Sequence, residues 1–460
     1  MDTKNQTIPS PADCLKEAGE TKELRLKKAV FSDIPGLLKD FFKSGRVYLV
    51  ADENTWKAAG QKTEDAVREA GIPIAGRRIF PGEPRLHAHY THVKELIELF
   101  KSLPDYPSCT PIAVGGGTIN DLVKRATFEL AMPYLCVPTA ASVDGYTANG
   151  AALLMDGFKQ TLPCTAPRVI AADTDVLAQA PAYLSSSGFG DLAGKIIAGT
   201  DWIIAEKAGS AGAPAATPID PLAWNMIQPG LMDNLNQSVH AADGDSEAVR
   251  TLFNSLAVTG FAMQYMKNSR PVSGSEHLFS HVWEMEDLSL NGAPVTHGHK
   301  VTIGTLSATA FTELFFADPS GPPTAVSGWQ RPSPAEREAE TAAAFRETPG
   351  CKAVVKTALE KMVDSKTASD INTLCRDSWH EIREKVLERL LPYAELKALL
   401  AKARCPLVPE AIGLRRKDII ATARKAQMMR NKYGILDLAW DMGNFESILA
   451  KLEASEVYLR

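Results

Sequence analysis

At 460 residues the chain is too long for one typical core and is expected to fold as two domains. Its 45% hydrophobic and 23% charged content are ordinary for a globular protein, and a net charge of -5 supplies no global basic field, which argues against a nucleic-acid partner. No apolar run reaches the roughly 20 residues needed to cross a bilayer, so no membrane insertion is expected.

The first 25 residues are polar, lack a continuous apolar stretch and do not read as a secretory signal. Seven cysteines, odd in number and never spaced Cys-x-x-Cys, argue against a disulfide framework or a thiolate zinc site, and a cytoplasmic location is expected. After the tail, residues 29–43 form an amphipathic segment leading into a buried strand at 46–52 that ends on Asp52. Helical spacing follows over 55–70, then a short strand and turn at 79–83, a helix at 93–103 and a strand at 111–114. A helix at 118–131 and strands at 134–137 and 168–172 complete the alternation, which is that of βαβ units and a parallel sheet.

From about residue 181 long helical patterns dominate, broken at 209–221, 229–230 and 291–294. A proline-rich stretch at 321–334 reads as an exposed loop, and helical spacing resumes at 335–345, at 352–363 and through the last hundred residues. The expected division is a polar tail at 1–25, a Rossmann-like α/β nucleotide-binding domain at 26–180, and an all-α metal- and substrate-binding domain at 181–460. No internal repeat is visible.

Val114-Gly115-Gly116-Gly117-Thr118-Ile119-Asn120-Asp121 lies between a predicted strand and a predicted helix. Successive glycines let backbone amides approach a pyrophosphate, and the helix N-terminus adds a partial positive charge. A tight strand-to-helix turn would use the same glycines, and the spacing is not G-x-G-x-x-G. Asp52 and Glu83 are acids placed to accept from adenosine ribose hydroxyls, which leans toward NAD over NADP; capping or turn roles would use them equally well.

Four of the nine histidines fall within 23 residues: His277, His281, His297 and His299. His277 and His281 share a helix face. Two imidazoles and a carboxylate can ligate a zinc-like ion, and Asp191, in Gly188-Phe189-Gly190-Asp191, is the best carboxylate; scattered core or surface histidines are the alternative reading of the same residues. The rival cluster His87, His89 and His92 reads as a solvated run, and Asp173 and Asp175 as strand-end or capping acids.

Several motifs in order carry a family resemblance. Gly115-Gly116-Gly117-Thr118-x-x-Asp121, Pro138-Thr139-Ala140-Ala141-Ser142-Val143-Asp144-Gly145, Gly188-x-Gly190-Asp191, His277-x-x-x-His281 and His297-Gly298 resemble the superfamily of iron-containing alcohol dehydrogenases, glycerol dehydrogenase and dehydroquinate synthase. Asp201-Trp202 and Ser273-Gly274-Ser275-Glu276-His277 make the chain most similar to the sn-glycerol-1-phosphate dehydrogenases, in their bacterial, arabinose-operon-associated branch. The likeness covers roughly residues 45 to 310, with a fainter echo from Tyr433 to Trp440.

The resemblance implies cofactor contacts from Gly115, Gly116, Gly117, Thr118 and Asp121 and from Thr139, Ala140, Ala141 and Ser142. It implies substrate contact by Asp144, Asp191 and His281, and metal ligation by Asp191, His277 and His297. The implied reaction is reversible reduction of dihydroxyacetone phosphate to sn-glycerol 1-phosphate with NADH (NADPH admitted) and one zinc, nickel or iron ion. A place in phospholipid synthesis and a homodimer are the corresponding expectations. His281 would hold or relay a proton or, alternatively, orient the metal ligands, and Lys159 is the candidate cation for the substrate phosphate, although a loop lysine is equally at home in solvent.

Two departures stand out: Ala148 replaces a serine that contacts cofactor in the family, with Thr147 and Asn149 as neighbouring substitutes, and His299 stands where relatives carry Glu. Residues 315–375 have no counterpart. A polyol dehydrogenase shares every motif except a phosphate pocket. A dehydroquinate-type synthase is disfavoured because Ser273-Gly274-Ser275-Glu276-His277 replaces the Asn-(Phe/Trp)-Gly-His pattern of those enzymes.

Overall fold

The computed structural model describes residues 8–43, 45–104, 106–155 and 158–460, with backbone alone at Phe158 and Lys159. The chain forms two compact units, Met1–Leu192 with Asn225–Asn268, and Ala193–Trp224 with Ser269–Arg460. An α/β region with a parallel sheet is followed by a helical region, as the alternation of elements implies.

The first unit is built on strands β1 (Glu23–Lys27), β2 (Val47–Asp52), β3 (Ile74–Phe80), β4 (Thr110–Gly115), β5 (Leu135–Pro138) and, later in the chain, β8 (Val169–Asp173). They pair in the order β1-β8-β5-β4-β2-β3, every pairing parallel. Residues of the central strands β4, β5 and β8 are buried throughout, because helices cover both faces of a parallel sheet. Chain order reverses between β2 and β4, so the carboxyl ends of those strands bound the crevice where such sheets hold ligands. Asp52 ends the first and Gly115 the second.

Three parts of this unit were not foreseen. The expected tail contributes the helix Pro11–Ala18 and edge strand β1, whose Glu-Leu-Arg-Leu-Lys has only two apolar residues because it pairs on one side alone. Strands β6 (Gly150–Met155) and β7 (Phe158–Pro163) make a separate antiparallel hairpin. The helix Ser246–Met266, expected in the all-α half, belongs to the first unit. Gln264 fastens it there, accepting from Glu20 N and Thr21 N and donating to Thr147 O. Thr147 Oγ1 donates to Ala257 O at 2.9 Å, and the absent side chain of Gly260 admits the Thr147 backbone.

The second unit is helical. Trp202, Trp283 and Trp379 are among its largest fully buried side chains, and Trp283 donates to Thr422 Oγ1 at 2.9 Å. Two glycines set the spacing of its central helices. A Cβ on Gly304 would meet the Glu276 carbonyl, so the helix His297–Phe315 lies directly on Ser275–Met285; one on Gly194 would meet Val301 and Glu276 side chains. The proline-rich stretch is mostly exposed as expected, yet anchored: Val326 N donates to Gly443 O, Asn444 Nδ2 to Pro323 O, and the Arg331 guanidinium stands 4.9 Å from the Trp440 ring. Among the described residues no helix is long and apolar enough to cross a membrane.

Candidate active site

The three glycines play distinct parts. Gly115 closes β4 against the helix Gly117–Glu129, for a Cβ there would sit 2.7 Å from Ile119 Cβ. Gly116 is the N-cap residue, and a Cβ on it meets nothing within 4 Å. Gly117 faces only the Val143 side chain, at 3.1 Å. Thr118, like Gly116 and Gly117, is partly exposed. The first-turn N–H groups of a helix lack intrahelical acceptors and carry its positive pole, so the opening over Gly116 suits an anion.

Asp121 serves the fold: its oxygens meet Lys124 Nζ at 3.3 Å and accept from Ala152 N at 3.2 Å. Asp52 Oδ1 caps the next helical turn, accepting from Asn54 N and Thr55 N. Glu83 is exposed in a turn tied to the same segment, where Gly82 N donates to Glu53 Oε2. Glu53 is thus a third acid at this edge. Its place at the end of a buried strand marks Asp52 in the sequence; nothing marks Glu53.

The loop from Thr139 to Asn149 is held from two sides. A Cβ on Gly188 would lie 1.9 Å from Ala141 O, and Ser187 Oγ donates to Ser142 O at 3.3 Å, so the helix Ala182–Ser210 rests on the loop backbone. Thr139, Ala140 and Ala141 are buried, and Ser142 is partly exposed. From the other side Asn120 and Lys124, one turn apart, donate to Gly145 O, Tyr146 O and Gly150 O. Neither residue was singled out from sequence, though a lysine at a buried helical position is itself a signal. Ala148 and Thr147 are both buried, and the Thr147 hydroxyl donates to Ala257 O. Lys159 falls in β7, and its side chain lies outside the described residues.

Asp191, His277 and His297 are, among the described residues, the one group of three whose ligand-type atoms all lie within 4.8 Å of one another. Each is oriented by a further bond. Asp191 Oδ2 accepts from Asp144 N at 2.9 Å. His277 Nδ1 meets Glu276 Oε1 at 2.6 Å, and His297 Nδ1 meets Glu284 Oε1 at 2.7 Å. A histidine whose Nδ1 is held by a carboxylate presents Nε2 as its ligand atom, the arrangement typical of metal-binding imidazoles. The two rings are 5.3 Å apart.

Asp201 sets the start of the histidine helix, accepting from both N and Oγ of Ser275 at 2.6 Å, and its other oxygen takes Ile435 N. Burial pushes its carboxyl up to about 6. His281, one turn after His277, meets Glu284 Oε2 at 3.3 Å. Burial and then the Arg430 charge push its imidazole down to about 3, so it is neutral at neutral pH. His299 is pushed down to about 4 by burial alone. The carboxylates Glu276 and Glu284 escaped the sequence reading, although Glu284 lies seven residues after His277 on one helix face.

The outlying clusters are structural. His89 caps the helix Tyr90–Lys101 through Nδ1, and Asp173 caps Thr174–Ala178 while accepting from Val30 N.

Residues 25–181 match the family described as iron-containing alcohol dehydrogenase. The chain is 35% identical over 253 residues to a glycerol-1-phosphate dehydrogenase [NAD(P)+] of Bacillus velezensis, covering 55% of this chain and 62% of that protein. It is 32% identical over 294 residues to the enzyme of the same name from Halalkalibacterium halodurans, covering 63% and 70%. The chain thus spans about three-fifths of the first of these relatives. In overall fold it resembles glycerol dehydrogenase from Schizosaccharomyces pombe, with a TM-score of 0.56 and 17% identity over 96% of this chain and 94% of that one.

Proposed function

This chain belongs to the iron-containing alcohol dehydrogenases, in the branch of the glycerol-1-phosphate dehydrogenases, and from that premise we propose that it is a metal-dependent oxidoreductase interconverting dihydroxyacetone phosphate and sn-glycerol 1-phosphate. The observation that carries the reading is the cluster of Asp191, His277 and His297, each ligand turned by its own hydrogen-bond partner. Two neutral imidazoles and a carboxylate suit zinc, nickel or iron alike. When bound, the dinucleotide supplies the hydride and the divalent ion a Lewis acid for the substrate carbonyl.

The chain's own residues do the rest. The helix Gly117–Glu129 offers its positive end and the uncovered Gly116 to the pyrophosphate. Asp52, Glu53 and Glu83 put negative charge at the edge where an adenosine ribose would lie, which favours NAD over NADP. Asp144 orients Asp191 through its backbone N–H, which ties the substrate loop to that ligand. Neutral His281 accepts from a substrate hydroxyl and is a poor proton donor at neutral pH. For the substrate phosphate we favour Arg430, whose charge bears on both His281 and Glu284.

The test is NADH oxidation with dihydroxyacetone phosphate and with dihydroxyacetone, before and after exhaustive chelation. Activity on the phosphorylated ketone, lost on chelation and restored by metal, is expected. Activity on dihydroxyacetone alone overturns the substrate; activity indifferent to chelation overturns the metal site.

A further inference from the structure

Glu284 closes the last turn of the helix Ser275–Met285 with 5% of its side chain exposed. Its two oxygens serve two histidines. Oε1 lies 2.7 Å from His297 Nδ1 and 3.5 Å from Lys300 Nζ, while Oε2 lies 3.3 Å from His281 Nδ1. Glu276 offers an internal comparison: its Oε1 meets His277 Nδ1 and accepts from Gly274 N. That carboxylate holds a single ring.

A carboxylate can accept only from an Nδ1 that carries its hydrogen, and that tautomer leaves the lone pair on Nε2. We propose that Glu284 is a positioning residue that fixes the tautomers of His297 and His281 together, turning the Nε2 lone pair of one toward metal and of the other toward substrate. The proposal rests on the metal-ligand reading of His297. The buried Lys300 Nζ lies 3.5 Å from the same Oε1 that meets His297. Because one group serves both rings, whatever tightens its bond to His297 loosens its bond to His281. Occupancy of the ligand set is thereby felt at a histidine that is no part of it.

Glutamine at 284 cannot reproduce this. Its one carbonyl oxygen accepts from one ring, and its amide nitrogen, a donor only, forces the other ring to carry its hydrogen on Nε2. Glutamine at 276 disturbs His277 alone.

The experiment is long-range 15N–1H NMR of the full-length protein with 15N-labelled imidazoles, metal-free and then titrated with zinc. Metal-free wild type is expected to show His281 and His297 both protonated on Nδ1. Glu284→Gln should switch one of those two rings, while Glu276→Gln leaves both unchanged. Both substitutions should weaken zinc, measured by chelator competition, by roughly 10–100-fold. In the wild type, zinc should also shift the His281 resonances, a readout that needs no variant and stands if Glu284→Gln fails to fold. His281 protonated on Nε2 in the wild type, or unmoved by both Glu284→Gln and zinc, overturns the proposal. Absence of zinc binding to the wild type instead overturns the metal reading, and the metal-free tautomers still decide the role of Glu284.

Discussion

Alanine at Gly116 separates folding from cofactor binding. The residue sits at φ -76° and ψ -175°, extended backbone that alanine adopts without strain, and an added Cβ meets nothing within 4 Å. Two small effects then oppose each other. Alanine restricts the unfolded chain, worth about 0.4–1 kcal/mol, and gives up the advantage of glycine at an N-cap. Stability should therefore change by less than about 1 kcal/mol. The new methyl nevertheless occupies the opening through which the first-turn amides would reach a pyrophosphate. Loss of one such bond to a charged group costs about 1.5–3 kcal/mol, or roughly 10–100-fold in Kd for NADH. Gly115→Ala is the counterpart: its Cβ would press on Ile119 at 2.7 Å, and overpacking of that kind costs about 1–3 kcal/mol. Differential scanning fluorimetry and NADH titration of both variants make the check. Wild-type NADH affinity in a stably folded Gly116→Ala protein would refute the placement of the pyrophosphate. A large loss of Tm in that variant would refute the claim of open space.

Two further outcomes follow from charge. Arg430→Ala should raise KM for dihydroxyacetone phosphate roughly 10–100-fold while changing KM for dihydroxyacetone little, since only the phosphate needs the cation; equal effects on both ketones would remove Arg430 from the phosphate site. Burial raises the Asp441 carboxyl to about 6, against the lesser pull of Arg331 and the Tyr433 hydroxyl. The folded state then binds the extra proton between the unfolded value near 4 and about 6, so the Asp441 contribution to stability falls as pH rises through that window and is constant above it. The Tm of wild type relative to Asp441→Asn should accordingly decline from pH 4 to 6 and level off beyond 7. A relative Tm that climbs over the same range would contradict the raised carboxyl.

The central strands were legible because their burial is continuous: Val-Tyr-Leu-Val-Ala at 47–51 and Pro-Ile-Ala-Val at 111–114 admit few other readings. β1 was not, since an edge strand with charges at alternate positions looks like surface. The helix Ser246–Met266 was legible as a helix, but its allegiance was not. Among its ties to the sheet unit is one buried amide, Gln264, bonded to residues 243 and 117 positions away in sequence for Thr21 and Thr147. No local pattern encodes a partner at that separation.

The same distinction runs through the site. His277 and His297 announce themselves because histidine is rare and chemically specific, and Asp191 because glycines flank it. Their orienting carboxylates are ordinary residues in ordinary places. Glu276 is one more acid in a first helical turn, and Glu284 one more glutamate near a helix end, each with a sufficient surface explanation. Only packing distinguishes them. Gly304 brings the helix beginning at His297 onto the one carrying Glu284, and a side chain that would otherwise be solvated is closed in with two imidazoles and Lys300. An ionised carboxylate left there without donors would be strongly disfavoured, so the three donors are as necessary to its burial as it is to their orientation. Ligand identity is therefore a property of composition and spacing, whereas ligand orientation emerges only when the helices meet.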